Sequence, residues 1–150
     1  MAAAYRVWAG FVSLAVIVQV GLAGVGAFHA ASKAEDNEAT KKTVEDWFGP
    51  HIAVGYLIGP IILVLLILAL LSRKSAEPRD ARVKWAGILL GLWVLQVLLA
   101  WFGGVANGAL GFLHPINALL IAGIAGVNAQ RAWSRAPAPA TAAPVALGGN

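Results

Sequence analysis

Two histidines, His51 and His114, are the clearest chemical signal in this sequence. Each stands beside a proline, Pro50 or Pro115, at the start of a long apolar segment. A proline suits the first turn of a helix, where its missing N–H has no partner in any case, so both prolines predict helix starts. Because a neutral imidazole is a good axial ligand for haem iron, we predict that the two histidines face each other and ligate the iron of one haem b.

Other residues belong to the same predicted site. Gly55 and Ala118 follow the histidines by four positions on the same helix face, and small side chains there leave room for a flat macrocycle. Gln19 and Gln96 are expected to face inward, in an interhelical hydrogen bond, which we favour, or against a cofactor edge or a quinone carbonyl. His29 is a weaker ligand candidate that could instead hydrogen-bond a haem propionate.

Alternatives to haem remain open for the two histidines. Each could be an interfacial residue that is solvated by lipid head groups and caps its helix, or the pair could bind another metal or relay protons. Ionisable side chains inside membrane helices are usually functional, which favours a site. Zinc and copper are disfavoured because neither a carboxylate nor a thiol lies within the apolar segments. Asn117 could orient an imidazole or bond across the bundle.

The composition predicts a membrane protein. Of the 150 residues, 59% are hydrophobic and only 12% are charged, and the mean hydropathy is +0.75, whereas a soluble domain needs a more charged surface. The absence of cysteine excludes disulfides and thiolate metal sites. Four apolar segments are long enough to cross a bilayer as helices, at about residues 7–29, 49–72, 85–103 and 113–130, and an Ala/Pro-rich tail at 132–150 is expected to be disordered.

Charge at the helix ends predicts the orientation. Eight basic residues lie on one side, namely Arg6, five within residues 73–84, Arg131 and Arg135. Three lie on the other side, where acidic residues outnumber them: Lys33, Lys41 and Lys42. Basic loops stay in the cytoplasm, so we predict a multi-pass protein of the bacterial inner (cytoplasmic) membrane with both termini cytoplasmic. The net charge of +4 then reflects topology rather than nucleic-acid binding.

The two halves of the chain resemble each other. Residues 8–10 (WAG) fall on residues 85–87, and Gln19 falls on Gln96, at a shift of 77 positions. The second apolar segment matches the fourth at a shift of 63 positions, which aligns the two histidines. A shared triplet with one glutamine in register favours a tandem repeat. The predicted fold is an all-α, four-transmembrane-helix bundle built from a tandem-duplicated helix hairpin, whose parallel repeats place both histidines at similar depth.

Several of these motifs resemble a known family. Gln19 with the following GLAGVG, HIAVGY at residues 51–56, the second glutamine and LHPINAL at 113–119 resemble small bacterial four-helix membrane proteins of no assigned function, over about residues 6–131. More distantly, the chain is similar to half of a haem A synthase or to a small b-type cytochrome, in which bundle histidines ligate haem. This resemblance implicates only His51 and His114, because the glutamate and histidine–arginine pair of haem A synthases are missing.

The predicted function is that of a cytochrome-like membrane protein that binds haem b near the outer leaflet. It would transfer electrons or handle haem, with a quinol or another redox partner, within the lipid bilayer and without nucleic acid. One alternative is a non-enzymatic membrane subunit or assembly factor without a cofactor, and another is a small transporter that works as a homodimer. No Walker loop or HExxH motif occurs, and the sequence leaves open whether the protein is an enzyme.

Overall fold

Four helices make up the computed structural model, which describes residues 2–35, 40–72, 78–103 and 109–134. They are α1 (Ala2–Glu35), α2 (Lys41–Leu71), α3 (Arg79–Gly103) and α4 (Ala109–Ser134). Each helix is long and apolar enough to cross a membrane. The predicted all-helical architecture with four long apolar helices is confirmed.

The helices extend beyond the predicted apolar segments at six of their eight ends. The Thr40 hydroxyl caps α2 by accepting a hydrogen bond from the Thr43 N–H (3.1 Å), and Lys41 lies 3.6 Å from Glu45 one turn later. The turns added at the start of α2 and α3 are rich in charge, so hydropathy alone does not mark them. At the other end of the chain α4 includes residues 132–134, and the rest of the predicted disordered tail lies outside the described residues.

The prolines beside the histidines do not start their helices, so this prediction is wrong. α2 begins at Lys41 and α4 at Ala109, which places Pro50 and Pro115 inside them. An interior proline removes the backbone N–H that would bond the carbonyl four residues earlier, a loss that membrane helices tolerate when neighbouring groups compensate. The histidines consequently lie further into their helices than a first-turn position would place them.

The four helices pack side by side as a square bundle. α1 contacts α2 and α4, and α3 contacts the same two helices, so the diagonal pairs are α1 with α3 and α2 with α4. Buried apolar residues fill the interior, among them Val12, Ile62, Leu65, Ala86 and Leu89. Large apolar side chains of every helix are exposed on the outside. An exterior of this kind suits lipid rather than water.

A tryptophan of α3 fits directly against α2. A Cβ atom at Gly59 would lie only 2.3 Å from the Trp93 indole, so the ring occupies the space that a side chain would need. The indole N–H also donates a hydrogen bond to the Gly55 carbonyl (2.9 Å). Gly59 therefore allows the two helices to approach closely, as expected for glycine at a membrane helix interface.

Candidate functional site

The rings of His51 and His114 lie next to each other inside the bundle. Their centroids are 6.3 Å apart, and the ring planes are inclined at 70°. The two histidines come from α2 and α4, which occupy opposite corners of the square. The rings therefore meet across the diagonal of the bundle, which is the arrangement that the repeated histidines predict.

Each imidazole is anchored by the backbone carbonyl of a glutamine on the preceding helix. The His51 Nδ1–H donates to the Gln19 carbonyl at 3.2 Å, and the His114 Nδ1–H donates to the Gln96 carbonyl at 3.3 Å. A carbonyl oxygen only accepts hydrogen bonds, so Nδ1 holds the proton of each neutral ring. The free electron pair is then on Nε2, the atom with which such an imidazole ligates a metal.

These two anchoring bonds are equivalent in the repeat alignment. Gln19 matches Gln96 at the shift of 77 positions, and His51 matches His114 at the shift of 63 positions. The distances differ by only 0.1 Å, from 3.2 Å in the first hairpin to 3.3 Å in the second. The α1–α2 hairpin and the α3–α4 hairpin thus make the same contact at the same aligned positions.

The Gln19 side chain lies directly against His51. Its amide nitrogen donates to the His51 carbonyl (2.8 Å) and lies 3.5 Å from His51 Nε2. A Cβ atom at Gly55 would lie 2.9 Å from that same nitrogen. The space beside Gly55, which we expected to receive a macrocycle, therefore holds the Gln19 carboxamide, and a flat ligand there requires this side chain to rotate away.

The Gln96 side chain makes a different contact because its hairpin differs at two positions. Asn117 stands where the first hairpin has Val54, and its amide nitrogen donates to Gln96 Oε1 (2.7 Å) and to the Leu92 carbonyl (2.9 Å). Ala118 adds a methyl group at the position where the first hairpin has Gly55. The interhelical hydrogen bonds favoured for the glutamines are present, and Asn117 bonds across to α3.

Two acceptor atoms near the histidines have no hydrogen-bond partner among the described residues. They are Gln19 Oε1 and Asn117 Oδ1, and both are buried. Together with the two Nε2 electron pairs they make this interior rich in acceptors. Buried acceptors without partners are costly, so the site favours a ligand that accepts electron pairs or donates hydrogen bonds.

His29 packs elsewhere. Its ring stacks on Trp47 at a centroid distance of 3.5 Å and lines a shallow groove on α1 with Phe28 and Ser32. Across the described ranges, no group of three or more His, Cys, Asp or Glu side chains could hold a metal ion. A metal in this bundle would therefore need donors beyond the histidine pair, and a porphyrin brings four of its own.

Sequence reasoning missed a second set of buried polar residues, Tyr5, Ser72, Arg82 and Asn128. From the sequence, Arg82 is expected in a solvated basic loop and Tyr5 outside the first helix. One signal could have found both, since Tyr5 and Arg82 occupy matching positions at the shift of 77. All four lie at the end of the bundle where α1 and α3 begin, which we call the Tyr5 end.

Comparison with known proteins adds one finding. The sequence pattern of a family of unknown function matches residues 19–105, more than half of the chain. The match includes Gln19, His51 and Gln96 and ends before His114. No curated protein matches the chain, and neither does any solved structure. The protein belongs to this family of unknown function (DUF6220).

Proposed function

We propose that this protein is an integral membrane haem protein that holds one haem b between His51 and His114. A single observation carries the proposal: the imidazole centroids are 6.3 Å apart, and each Nδ1–H is bound to a backbone carbonyl. This tautomer leaves an electron pair on each Nε2, and the pair of His51 becomes free for a metal ion when the Gln19 amide moves away from it. His51 and His114 would be the residues that hold the iron.

The donor set of this site fits haem better than a free metal ion. His51 and His114 would hold a haem iron, and the porphyrin would supply the remaining donors, so two imidazoles would be sufficient as protein ligands. A free zinc or copper ion would need further protein ligands, and the described residues form no group of three. The absence of charged side chains between Val7 and Phe28 and between Gly49 and Leu71 also suits an apolar macrocycle.

The Gln19 side chain has to move for a haem to bind beside Gly55. The Gln19 carboxamide fills the space beside Gly55 and has to rotate out of it. Gln19 would lose its hydrogen bonds to the His51 carbonyl and to His51 Nε2, and an interhelical hydrogen bond in a membrane protein is worth on the order of 0.6 kcal/mol. The anchors of the imidazoles are backbone carbonyls, so both rings keep their tautomer and position when the Gln19 side chain moves.

The role that follows is electron transfer or haem handling. Bound haem b would supply one-electron oxidation and reduction, with a quinol or another redox partner as donor or acceptor. His51 and His114 would both hold the iron, so the bound group would supply electron transfer rather than substrate binding. The chain's own residues then act as ligands and as holders of the ligands, rather than as acids or bases.

The repeat and the orientation belong to the same proposal. The equivalent carbonyl–imidazole bonds support descent of the bundle from one duplicated hairpin, with a pseudo-twofold axis along the membrane normal. The Tyr5 end carries Arg6, Arg79, Lys84 and Arg131 among its described residues. This basic end supports cytoplasmic termini and a histidine pair in the outer half of the bacterial inner membrane.

An absorbance spectrum of the purified full chain, produced with an ample supply of haem, tests the proposal. We expect a Soret band, together with α and β bands that sharpen when dithionite is added. Protein that is folded and colourless under these conditions would refute it.

A further inference from the structure

A second buried polar cluster lies at the Tyr5 end of the bundle. It takes one residue from each helix or its cap: Tyr5 from α1, Ser72 after α2, Arg82 from α3 and Asn128 from α4. Each of the four is at most 1% exposed. We call this group the Arg82 cluster, and it takes no part in the proposed haem site.

The cluster is joined by two hydrogen bonds and a ring contact. Arg82 Nη2 donates to the Ser72 carbonyl at 2.7 Å, and the guanidinium carbon lies 5.6 Å from the centre of the Tyr5 ring. The Tyr5 hydroxyl in turn donates to Asn128 Oδ1 at 2.9 Å. Tyr5 thus links the arginine of α3 to the asparagine of α4.

Three donor atoms of the cluster have no hydrogen-bond partner within the described part of the chain. They are Nε and Nη1 of Arg82 and Nδ2 of Asn128. The unpaired buried acceptors of the described residues, Gln19 Oε1 and Asn117 Oδ1, belong to the histidine site instead. A guanidinium remains charged in proteins, and a buried charge without a partner is strongly destabilising. An anion with several acceptor oxygens would supply the acceptors that these donors lack among the described residues.

We propose that the Arg82 cluster binds one phosphate-type oxyanion, supplied by the head group of an anionic phospholipid or by free phosphate. Arginine is suited to this chemistry because its planar N–H groups bind two oxygens at once. Arg82 lies in the first turns of α3, near the end of a membrane-length helix. Basic pockets between helix ends at this level bind anionic head groups.

The charge around the cluster supports an anionic ligand. Arg6 and Arg131 are partly buried at the same end of the bundle, and Arg79 and Lys84 are exposed there on α3. Asp80 is the acidic residue in the first turn of that helix, and its side chain is exposed. Positive charge therefore surrounds a cluster that has too few hydrogen-bond acceptors. An oxyanion would supply both negative charge and acceptor atoms.

Thermal unfolding of the full chain in detergent tests the proposal, with phosphatidylglycerol, phosphatidylcholine or inorganic phosphate added. We expect phosphatidylglycerol to raise the unfolding midpoint by at least about 3 °C and phosphatidylcholine to leave it unchanged. A rise with phosphatidylglycerol alone identifies the lipid head group as the source, whereas a rise with inorganic phosphate identifies a free-phosphate site. The absence of a rise with either anion would overturn the proposal.

Substitutions test whether the stabilisation by an anion depends on the Arg82 cluster. Arg82→Met removes the donors and keeps an apolar stem, so it should lose the response, whereas Arg79→Gln, at an exposed position of the same helix, should keep it. If Arg82→Met does not fold, Asn128→Asp serves instead, because it keeps the acceptor for Tyr5 and adds a negative charge to the cluster. It should match or exceed the wild-type midpoint without lipid and lose the response. A response of wild-type size in either variant would contradict the assignment.

Discussion

The ring centroids of His51 and His114 lie 6.3 Å apart, although α2 and α4 occupy opposite corners of the bundle. Each ring is held at its Nδ1–H by a backbone carbonyl of a neighbouring helix. Backbone anchors do not depend on a side-chain rotamer, so the pair is arranged before any ligand binds. Such preorganisation is what a metal site requires of the residues that hold its ligands.

The Gln19 carboxamide is expected to oppose haem binding rather than to assist it. We predict that Gln19→Ala clears the space beside Gly55 and binds haem at least as tightly as wild type, at a stability cost on the order of 0.6 kcal/mol. Haem titration of the apoprotein, followed by absorbance, measures the affinity. Gln96→Ala is the matched control, because the Gln96 side chain contacts Asn117. Loss of haem from folded Gln19→Ala would show that this side chain is needed at the site.

The contact of Trp93 with α2 predicts a sharp difference between two glycines. Gly59→Ala places a methyl group 2.3 Å from the indole and should destabilise the protein by about 1–3 kcal/mol. Gly91→Ala on α3 meets nothing within 4 Å and should be neutral or slightly stabilising, because alanine favours helix. Unfolding in mixed detergent micelles with increasing SDS compares the two. Equal effects would contradict the close packing of Trp93.

Cysteine labelling tests the proposed orientation, since the chain has no cysteine of its own. Lys41 and Arg79 are exposed and lie at opposite ends of the bundle. A membrane-impermeant maleimide should label Lys41→Cys in spheroplasts and label Arg79→Cys only after the membrane is disrupted. The reverse order of labelling would show that the termini face outward.

The apolar runs predict the four helices, and the sequence likeness of the two halves predicts the meeting of His51 with His114. Both features depend on long stretches of sequence, in which lipid burial and helix periodicity dominate. The first turns of α2 could not be predicted from hydropathy. They are stabilised by local contacts outside the apolar segment, namely the cap at Thr40 and the pair of Lys41 with Glu45. For the same reason Pro50 looks like a helix start in the sequence and lies inside α2 in the structure.

Which side chains fill the interior of the bundle depends on how neighbouring residues pack. A hydropathy pattern does not describe this packing. Gly55 leaves space for a neighbouring group, and only the packed structure shows that the Gln19 carboxamide occupies this space. Arg82 is buried because Tyr5 and Ser72 close over it from α1 and the end of α2. Residues 73–84 are rich in charge and include a proline, which is typical of a solvated loop, so composition places Arg82 in a loop.

The haem content of four purified proteins tests the central claim most directly. Wild type and His29→Ala should each contain about one haem per chain by pyridine haemochrome assay, because the His29 ring packs on Trp47 and one bis-histidine pair holds one iron. His51→Ala and His114→Ala should each lose most of it while remaining folded. Wild-type protein without haem, or folded histidine variants that keep a full complement of it, would contradict the account.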